Sequence, residues 1–436
     1  MAIATRANAL LMLSSFVLLT VGCDDDSTAP PTSTITFAEL SAGGQNTCGV
    51  VVGGAAYCWG FNEYGQLGNG TTTDGTNPTV VGGGLTFGTV GVVVGGEHRC
   101  GVTNAGAAYC WGYHGYGQLG IGTQTGPTTC PGPGIRPCST TPVAVVGGLT
   151  FAALASGIAH TCGVTPGGAA YCWGLNFNGQ LGIGTTNGPE LCAEGSNPCS
   201  TSPVAVIGGL TFAMVSAGAS HTCAVTAAGA AYCWGANTSG QLGDSTTAQR
   251  TSPVAVAEGL TFTSVSAGFG YTCGVTLSGA AYCWGLNNSG QLGIGSASGP
   301  QQCGVNPCST APVPVVGGLT FKKLSVSGDQ SGFGHACGVA VTGVVYCWGT
   351  NLGGQLGDGT KNSRPTPAPV SGGFTFASVS AGSNNYFGQA DGQEHTCGVT
   401  TTGIAHCWGA NAYGQLGDGS KSGRTSPVPV SSPSAP

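Results

Sequence analysis

The chain has 436 residues, 82 of them glycine and 24 proline, a level that approaches low-complexity composition. Only 6% of residues are charged and the formal net charge is −6. The few cations, such as Lys322, Lys323, Lys361 and Arg364, form no stripe, which excludes the basic surface that nucleic-acid binding needs to neutralise phosphates.

Residues 1–22 read as an export signal: Arg6, the apolar run Ala9–Leu19, then small residues before Cys23. The run is too short for a comfortable membrane span. Gly22-Cys23 resembles a bacterial lipobox, which implies lipidation of Cys23, although Thr20 stands where that motif prefers leucine. An ordinary signal peptide with secretion is the alternative. Residues 23–34 are the lipidation site and a tether, because Asp24–Thr34 is acidic, proline-rich and without a hydrophobic pattern.

Residues 35–430 are repetitive, and 431–436 form a tail. The unit His221–Gly243, H-T-C-A-V-T-A-A-G-A-A-Y-C-W-G-A-N-T-S-G-Q-L-G, recurs seven times. All seven tryptophans (Trp59, Trp111, Trp173, Trp234, Trp284, Trp348, Trp408) sit in Cys-Trp-Gly, and Gly-Gln-Leu-Gly begins six residues after each. A second cysteine always stands ten positions earlier: Cys48/Cys58, Cys100/Cys110, Cys162/Cys172, Cys223/Cys233, Cys273/Cys283, Cys337/Cys347 and Cys397/Cys407. The invariant intervening glycine (Gly229 here) predicts a hairpin with a three-residue loop whose last residue is left-handed. In that register Thr226 faces Ala230 and Cys223 faces Cys233, on a non-hydrogen-bonded pair short enough for a cross-strand disulfide. Small buried apolar cysteines are the other reading of the pair.

One more strand precedes each hairpin (Thr211–Ala217) and one follows Gly-Gln-Leu-Gly (Ser252–Ala257). Four short strands per repeat, seven times, predict an all-β, seven-bladed β-propeller of four-stranded antiparallel blades. An open β-solenoid is the runner-up. The pattern G-x-x-H-T-C-x-V-T-x-x-G-A-A-Y-C-W-G-x-N-x-x-G-Q-L-G resembles the regulator of chromosome condensation repeats over about Thr36 to Val430. That resemblance implies a seven-bladed propeller that works by binding other proteins. A light-sensing branch of the family carries an extra tryptophan as G-W-R-H-T. Here the segments read Gly218-Ala219-Ser220-His221-Thr222 and Gly157-Ile158-Ala159-His160-Thr161, so light sensing is unsupported.

Cysteine arithmetic leaves no residue over. Besides Cys23 and the hairpin pairs, Cys130/Cys138, Cys192/Cys199 and Cys303/Cys308 lie in insertions ending Pro-Cys-Ser-Thr. Even pairing behind a signal segment favours disulfides. No C-x-x-C or histidine ligand pattern supports zinc, and no metal or cofactor is expected. His98, His160, His221, His335 and His395 share one repeat position, which fits a structural hydrogen-bonding role, and Asn62, Asn176, Asn237, Asn287, Asn351 and Asn411 read as turn-stabilising. No nucleophile–base set, carboxylate pair or phosphate cradle stands out.

The repeats differ in their insertions. Copies two, three and five are enlarged between the third and fourth strands, and copies six and seven between the first and second, at Asp329–Gly334 and Ser383–Glu394. In an up-and-down blade both connections emerge on one face, where binding residues are expected. Arg136, Glu190, Glu194, Asp329, Tyr386, Phe387, Asp391 and Glu394 are singled out there. The expected function is a non-catalytic, lipid-anchored, monomeric scaffold at a bacterial envelope, periplasmic or at the cell surface, that binds an unidentified protein. Guanine nucleotide exchange on a small GTPase and an envelope polysaccharide enzyme acting through Glu190 and Glu194 are the alternatives.

Overall fold

The structure, a computed structural model, describes residues 35–90, 96–132, 134, 136–192, 195–383 and 394–433. The signal segment and tether, with Cys23, lie outside them. Each repeat forms one antiparallel sheet, and the seven sheets are the blades of a propeller. In blade 4 the strands are Phe212–Ala217, His221–Thr226, Ala231–Gly235 and Arg250–Ala255, hydrogen-bonded in chain order. First strands from around the ring meet at the axis, where Leu40, Leu154, Val215, Val265, Leu324 and Val379 form a buried aliphatic constriction.

The hairpin register is the expected one. Cys223 pairs with Cys233 and His221 with Gly235, and the other six copies repeat the pattern. Gly229 ends the loop at φ +86°, the left-handed region that favours glycine. Each hairpin pair is a disulfide: Cys48–Cys58, Cys100–Cys110, Cys162–Cys172, Cys223–Cys233, Cys273–Cys283, Cys337–Cys347 and Cys397–Cys407. Their Cα separations of 4.0–4.1 Å are those of a non-hydrogen-bonded pair. Cys58, Cys110, Cys172, Cys233, Cys283, Cys347 and Cys407, like their partners, are fully buried. The alternative reading of these positions, unbonded apolar cysteines, is therefore right about their burial and wrong about their chemistry. They staple the blade interior and present no sulfur to a ligand or a partner.

Uniform four-stranded blades were expected, and blades 2, 3 and 5 depart from this by having five strands. Their insertions do not remain loops. Thr128–Thr129, Glu190–Cys192 and Gln301–Cys303 fold back on lengthened fourth strands, Pro137–Ala144, Asn197–Ala205 and Asn306–Pro314, as new outer edges. A disulfide ties each edge down: Cys130–Cys138, Cys192–Cys199 and Cys303–Cys308. An edge strand of two or three residues offers little unpaired backbone for aggregation.

The hydrophobic cores lie between blades. Cys223, Val225, Ala231, Cys233 and Leu242 of blade 4 pack with Phe262, Val265 and Trp284 of blade 5. Every tryptophan is fully buried, and its Nε1 donates to the main-chain carbonyl of the preceding blade's Gly-Gln-Leu-Gly glutamine, at 2.9–3.0 Å. The last glycine of that motif must lack a side chain: a Cβ on Gly243, at φ +68°, would lie 2.8 Å from the Trp284 ring.

The ring closes with the same contact. Trp59 of blade 1 donates to Gln415 O of blade 7 at 2.9 Å, and Phe37, Leu40 and Trp59 share a core with Cys397, Val399 and Leu416. Blade 1 is built wholly from Phe37–Val80 and blade 7 from Phe376–Pro429, so among the described residues no strand is exchanged between the two ends.

Candidate functional site

First strands run toward one face and fourth strands run back, so the first-to-second and third-to-fourth connections share a face, as expected. On this insertion face a chain of aromatic rings crosses three blades. Tyr413 of blade 7 meets Phe61 of blade 1 edge-on at 5.0 Å between centroids, and Phe61 meets Tyr64 at 6.4 Å. Tyr64 meets Tyr113 of blade 2 at 5.1 Å, and Tyr113 meets Tyr116 at 6.0 Å. Arg136 lies over the Tyr64 ring at 5.2 Å and pairs with Glu63 at 2.7 Å. Phe61, Glu63, Tyr113, Tyr116, Arg136 and Tyr413 are half-buried, so their outer edges reach solvent. Beside them burial pushes the Glu97 carboxyl up to about 7, with Arg136 opposing and Glu63 reinforcing the shift.

Of the residues singled out from sequence, Arg136 therefore lies in this arc. Glu190 accepts a hydrogen bond from Thr201 Oγ1 at 2.9 Å, in the added strand of blade 3. Its carboxylate is close to the sulfurs of Cys192 and Cys199, but those are bonded to each other and offer no thiolate to a metal. Asp329 and Glu394 are not open binding residues. Asp329 is 4% exposed and caps its own turn, accepting from Ser331 N and Phe333 N at 2.9 and 3.1 Å. Glu394 is 1% exposed and contacts His335 Nδ1 and Gln355 Nε2, each at 2.9 Å. Glu194, Tyr386, Phe387 and Asp391 lie outside the described residues.

The repeat histidines build an inner relay. Nε2 of each contacts a threonine hydroxyl of the next blade: His98–Thr161, His160–Thr222, His221–Thr272, His335–Thr396 and His395–Thr47, at 2.8–3.0 Å. Those hydroxyls donate to the glutamine carbonyls that also accept the tryptophans, at 2.8–3.0 Å. A hydroxyl has one proton to give, so Nε2 carries the histidine proton. Burial holds His98 well below the ordinary imidazole range and takes His160, His221 and His395 to about 3, so all four are neutral.

The relay is interrupted twice, and each time both partners change. Asn46 replaces the blade 1 histidine and Arg99 replaces the next threonine. Tyr271 replaces the blade 5 histidine and Ala336 the threonine after it. Arg99 is fully buried against the Asn46 side-chain oxygen and His98 O, and burial lowers it to about 9. Tyr271 instead donates to His335 O at 2.7 Å. The sequence reading missed both this coupling and the aromatic arc. Their signals were the paired exceptions and the confinement of aromatics in W-G-x-N-x-x to copies one, two, three and seven.

Ser327, His335 and Glu394 resemble a catalytic trio in composition but not in wiring. Ser327 Oγ (2.7 Å) and Glu394 Oε2 (2.9 Å) both contact Nδ1, while Nε2 serves Thr396. Nucleophile activation needs the hydroxyl and the acid on opposite nitrogens, and His335 is fully buried.

The comparisons agree with this architecture. Two profiles described as regulator of chromosome condensation (RCC1) repeat match residues 37–66, 151–180, 215–241, 262–291 and 392–415, and residues 53–102, 167–225 and 342–387. The Ultraviolet-B receptor UVR8 of Arabidopsis thaliana is 29% identical over 94% of this chain and 72% of its own length. The probable E3 ubiquitin-protein ligase HERC6 of Homo sapiens is 29% identical over 48% of this chain, but only 19% of its own length is covered. Among solved structures, Prp20p of Saccharomyces cerevisiae superposes with a TM-score of 0.65 at 17% identity, covering 91% of this chain and 87% of that one. Human WBSCR16 gives 0.64 at 19% identity, covering 80% and 85%. With matched segments in all seven blades, this chain belongs to the regulator of chromosome condensation (RCC1) repeat family.

Proposed function

We propose that this protein is a non-catalytic binding propeller, anchored at a bacterial envelope through Cys23, that captures a protein partner on its insertion face. The aromatic arc carries the reading. Tyrosines and an arginine held half-buried on a rigid scaffold are the side chains that dominate protein interfaces, and five rings with Arg136 line up across three blades. Membership of the repeat family supports a protein-binding role. In this proposal residues 1–22 are a lipoprotein signal and 23–34 the tether. Ile35 enters the first strand on the face opposite the insertions.

Photo-crosslinkers placed at Tyr116 and at Gly209, on opposite faces, test the surface. A partner captured from Tyr116 and not from Gly209, and lost in a Tyr113→Ala/Arg136→Ala variant, supports it; equal capture from both faces overturns it. Fatty-acid labelling that disappears in Cys23→Ser tests the anchor. A chain labelled equally in both forms, or in neither, rejects it.

A further inference from the structure

Away from the aromatic arc, the insertion face holds a groove of about 370 Å³ across blades 3 to 6, a size within the range of small-molecule pockets (roughly 300–1,000 Å³). Among the described residues its lining contains no ionisable side chain. Asn178 of blade 3, Thr238 of blade 4, Asn288 and Asn306 of blade 5 and Gln330 of blade 6 supply amides and hydroxyls, and Phe269 with Leu286 supplies an apolar wall. We propose that this groove binds a neutral saccharide.

The chemistry of the lining selects that ligand class. Each amide offers donors and an acceptor side by side, which matches sugar hydroxyls that must both give and receive hydrogen bonds. The C–H face of a pyranose ring is apolar and suits the Phe269 ring. Without a cation, nothing here would repay the desolvation of a carboxylate or phosphate; without an anion, nothing would hold an amine. The amides of Asn288 and Asn306 meet in the groove wall only through a long contact, Nδ2 to Oδ1 at 3.4 Å, which a better-placed sugar hydroxyl can replace.

One wall is the blade 6 insertion, and its shape is fixed. Asp329 caps the turn through Ser331 N and Phe333 N, and Gln291 Nε2 donates to Gly332 O at 3.1 Å. The Asp329 carboxylate is thereby consumed inside its own loop and adds no exposed charge to the groove. Gly332 lies against Asn288: a Cβ there would come within 2.8 Å of Asn288 Nδ2, so its missing side chain keeps that amide clear.

The test titrates the full-length protein with maltotriose, cellotriose and chitotriose, and with trigalacturonate as an acidic control, by saturation-transfer NMR and calorimetry. At least one neutral sugar should bind while the acidic one does not. Phe269→Ala and the double variant Asn178→Ala/Thr238→Val should each weaken binding roughly tenfold, about one well-made buried hydrogen bond or ring contact, at an unchanged Tm. Phe177→Ala, on the same face but outside the lining, should bind as the parent does. A Tyr113→Ala/Arg136→Ala variant that has lost its protein partner should still bind sugar, because the two sites share no residue. Absence of neutral-sugar binding, equal affinity in the groove variants, or preference for trigalacturonate or for an uncharged Asn/Ser-rich peptide overturns the proposal.

Discussion

Each relay histidine gives its Nε2 proton to a threonine hydroxyl, and the threonine gives its own to a glutamine carbonyl. Breaking one link leaves a buried N–H without an acceptor. Thr272→Val keeps the shape of the side chain but strands His221 Nε2–H; Gln241 O still receives Trp284 Nε1 at 3.0 Å. The expected loss is about 1–3 kcal/mol, measurable by urea denaturation, while Ala336→Thr, opposite Tyr271, restores no such bond and should gain nothing. Acid acts on the same groups. With ordinary values of 6.5 and folded values near 3 for His160, His221 and His395, the unfolded chain takes up protons that the folded one refuses. Stability therefore rises with pH from about 3 to 6.5 and is lost on acidification through that window. Glu97 has the opposite sign: raised from 4.5 to about 7, it holds a proton when folded, and its contribution fades as pH rises through that range. The lowered imidazoles of His98, His114, His160, His221, His395 and His406 outnumber the raised carboxyls of Glu39, Asp74 and Glu97, so the denaturation midpoint at pH 4.5 should fall below that at pH 7. An unchanged or higher midpoint at pH 4.5 would contradict neutral buried histidines.

At the scale of elements, the hairpins and the added edge strands carry different kinds of disulfide. Cys223–Cys233 sits in the centre of a blade, buried with Trp284 and Phe262, and closing its short loop contributes about 2–3 kcal/mol in the chain-entropy model. Cys223→Ala/Cys233→Ala should lower global stability by about that amount. Cys192→Ser/Cys199→Ser releases only Glu190–Cys192 from the rim. Amide exchange should quicken there while the global unfolding midpoint holds; a collapse of both would mean that the rim strand belongs to the core. The hairpins were legible because a turn glycine and two cysteines ten apart admit one register, and a one-residue slip would move every side chain to the other face. The added strands were not. Thr128–Thr129 and Gln301–Cys303 are too short and polar to show a period, and they become strands only because a neighbouring fourth strand is long enough to pair with them. Asp329 and Glu394 were misplaced for a related reason. Acidic residues in insertions are usually solvated; Asp329 is instead drawn into the turn it begins, through Ser331 N and Phe333 N, and Glu394 meets a histidine 59 positions away in sequence.

For the whole molecule, the decisive feature is that blade 7 meets blade 1 through the same contacts that join other blades. Trp59 reaches Gln415 O, His395 reaches Thr47, and Ala42 N donates to Ser380 Oγ at 3.0 Å. The last contact repeats between blades 4 and 5, where Ala267 N donates to Ser216 Oγ at 3.0 Å. The described ends, near Ile35 and Pro433, lie on the face of the tight turns, where every other junction is a short Gly-Gly-Leu-Thr-type connection. The ring thus has no privileged seam, and its stability should be indifferent to where the chain is cut on that face. A circular permutant that joins residue 433 to residue 35 and opens at the exposed Gly208–Gly209 turn interrupts no strand and none of the tryptophan contacts. It should unfold in one transition within a few degrees of the parent. Removing blade 7 instead, from Phe376 onward, deprives Trp59 of its acceptor and exposes the cores on both sides of the gap. That truncation should fail to fold as a cooperative unit, whereas a permutant that unfolds in two separated steps would show that one junction is special after all.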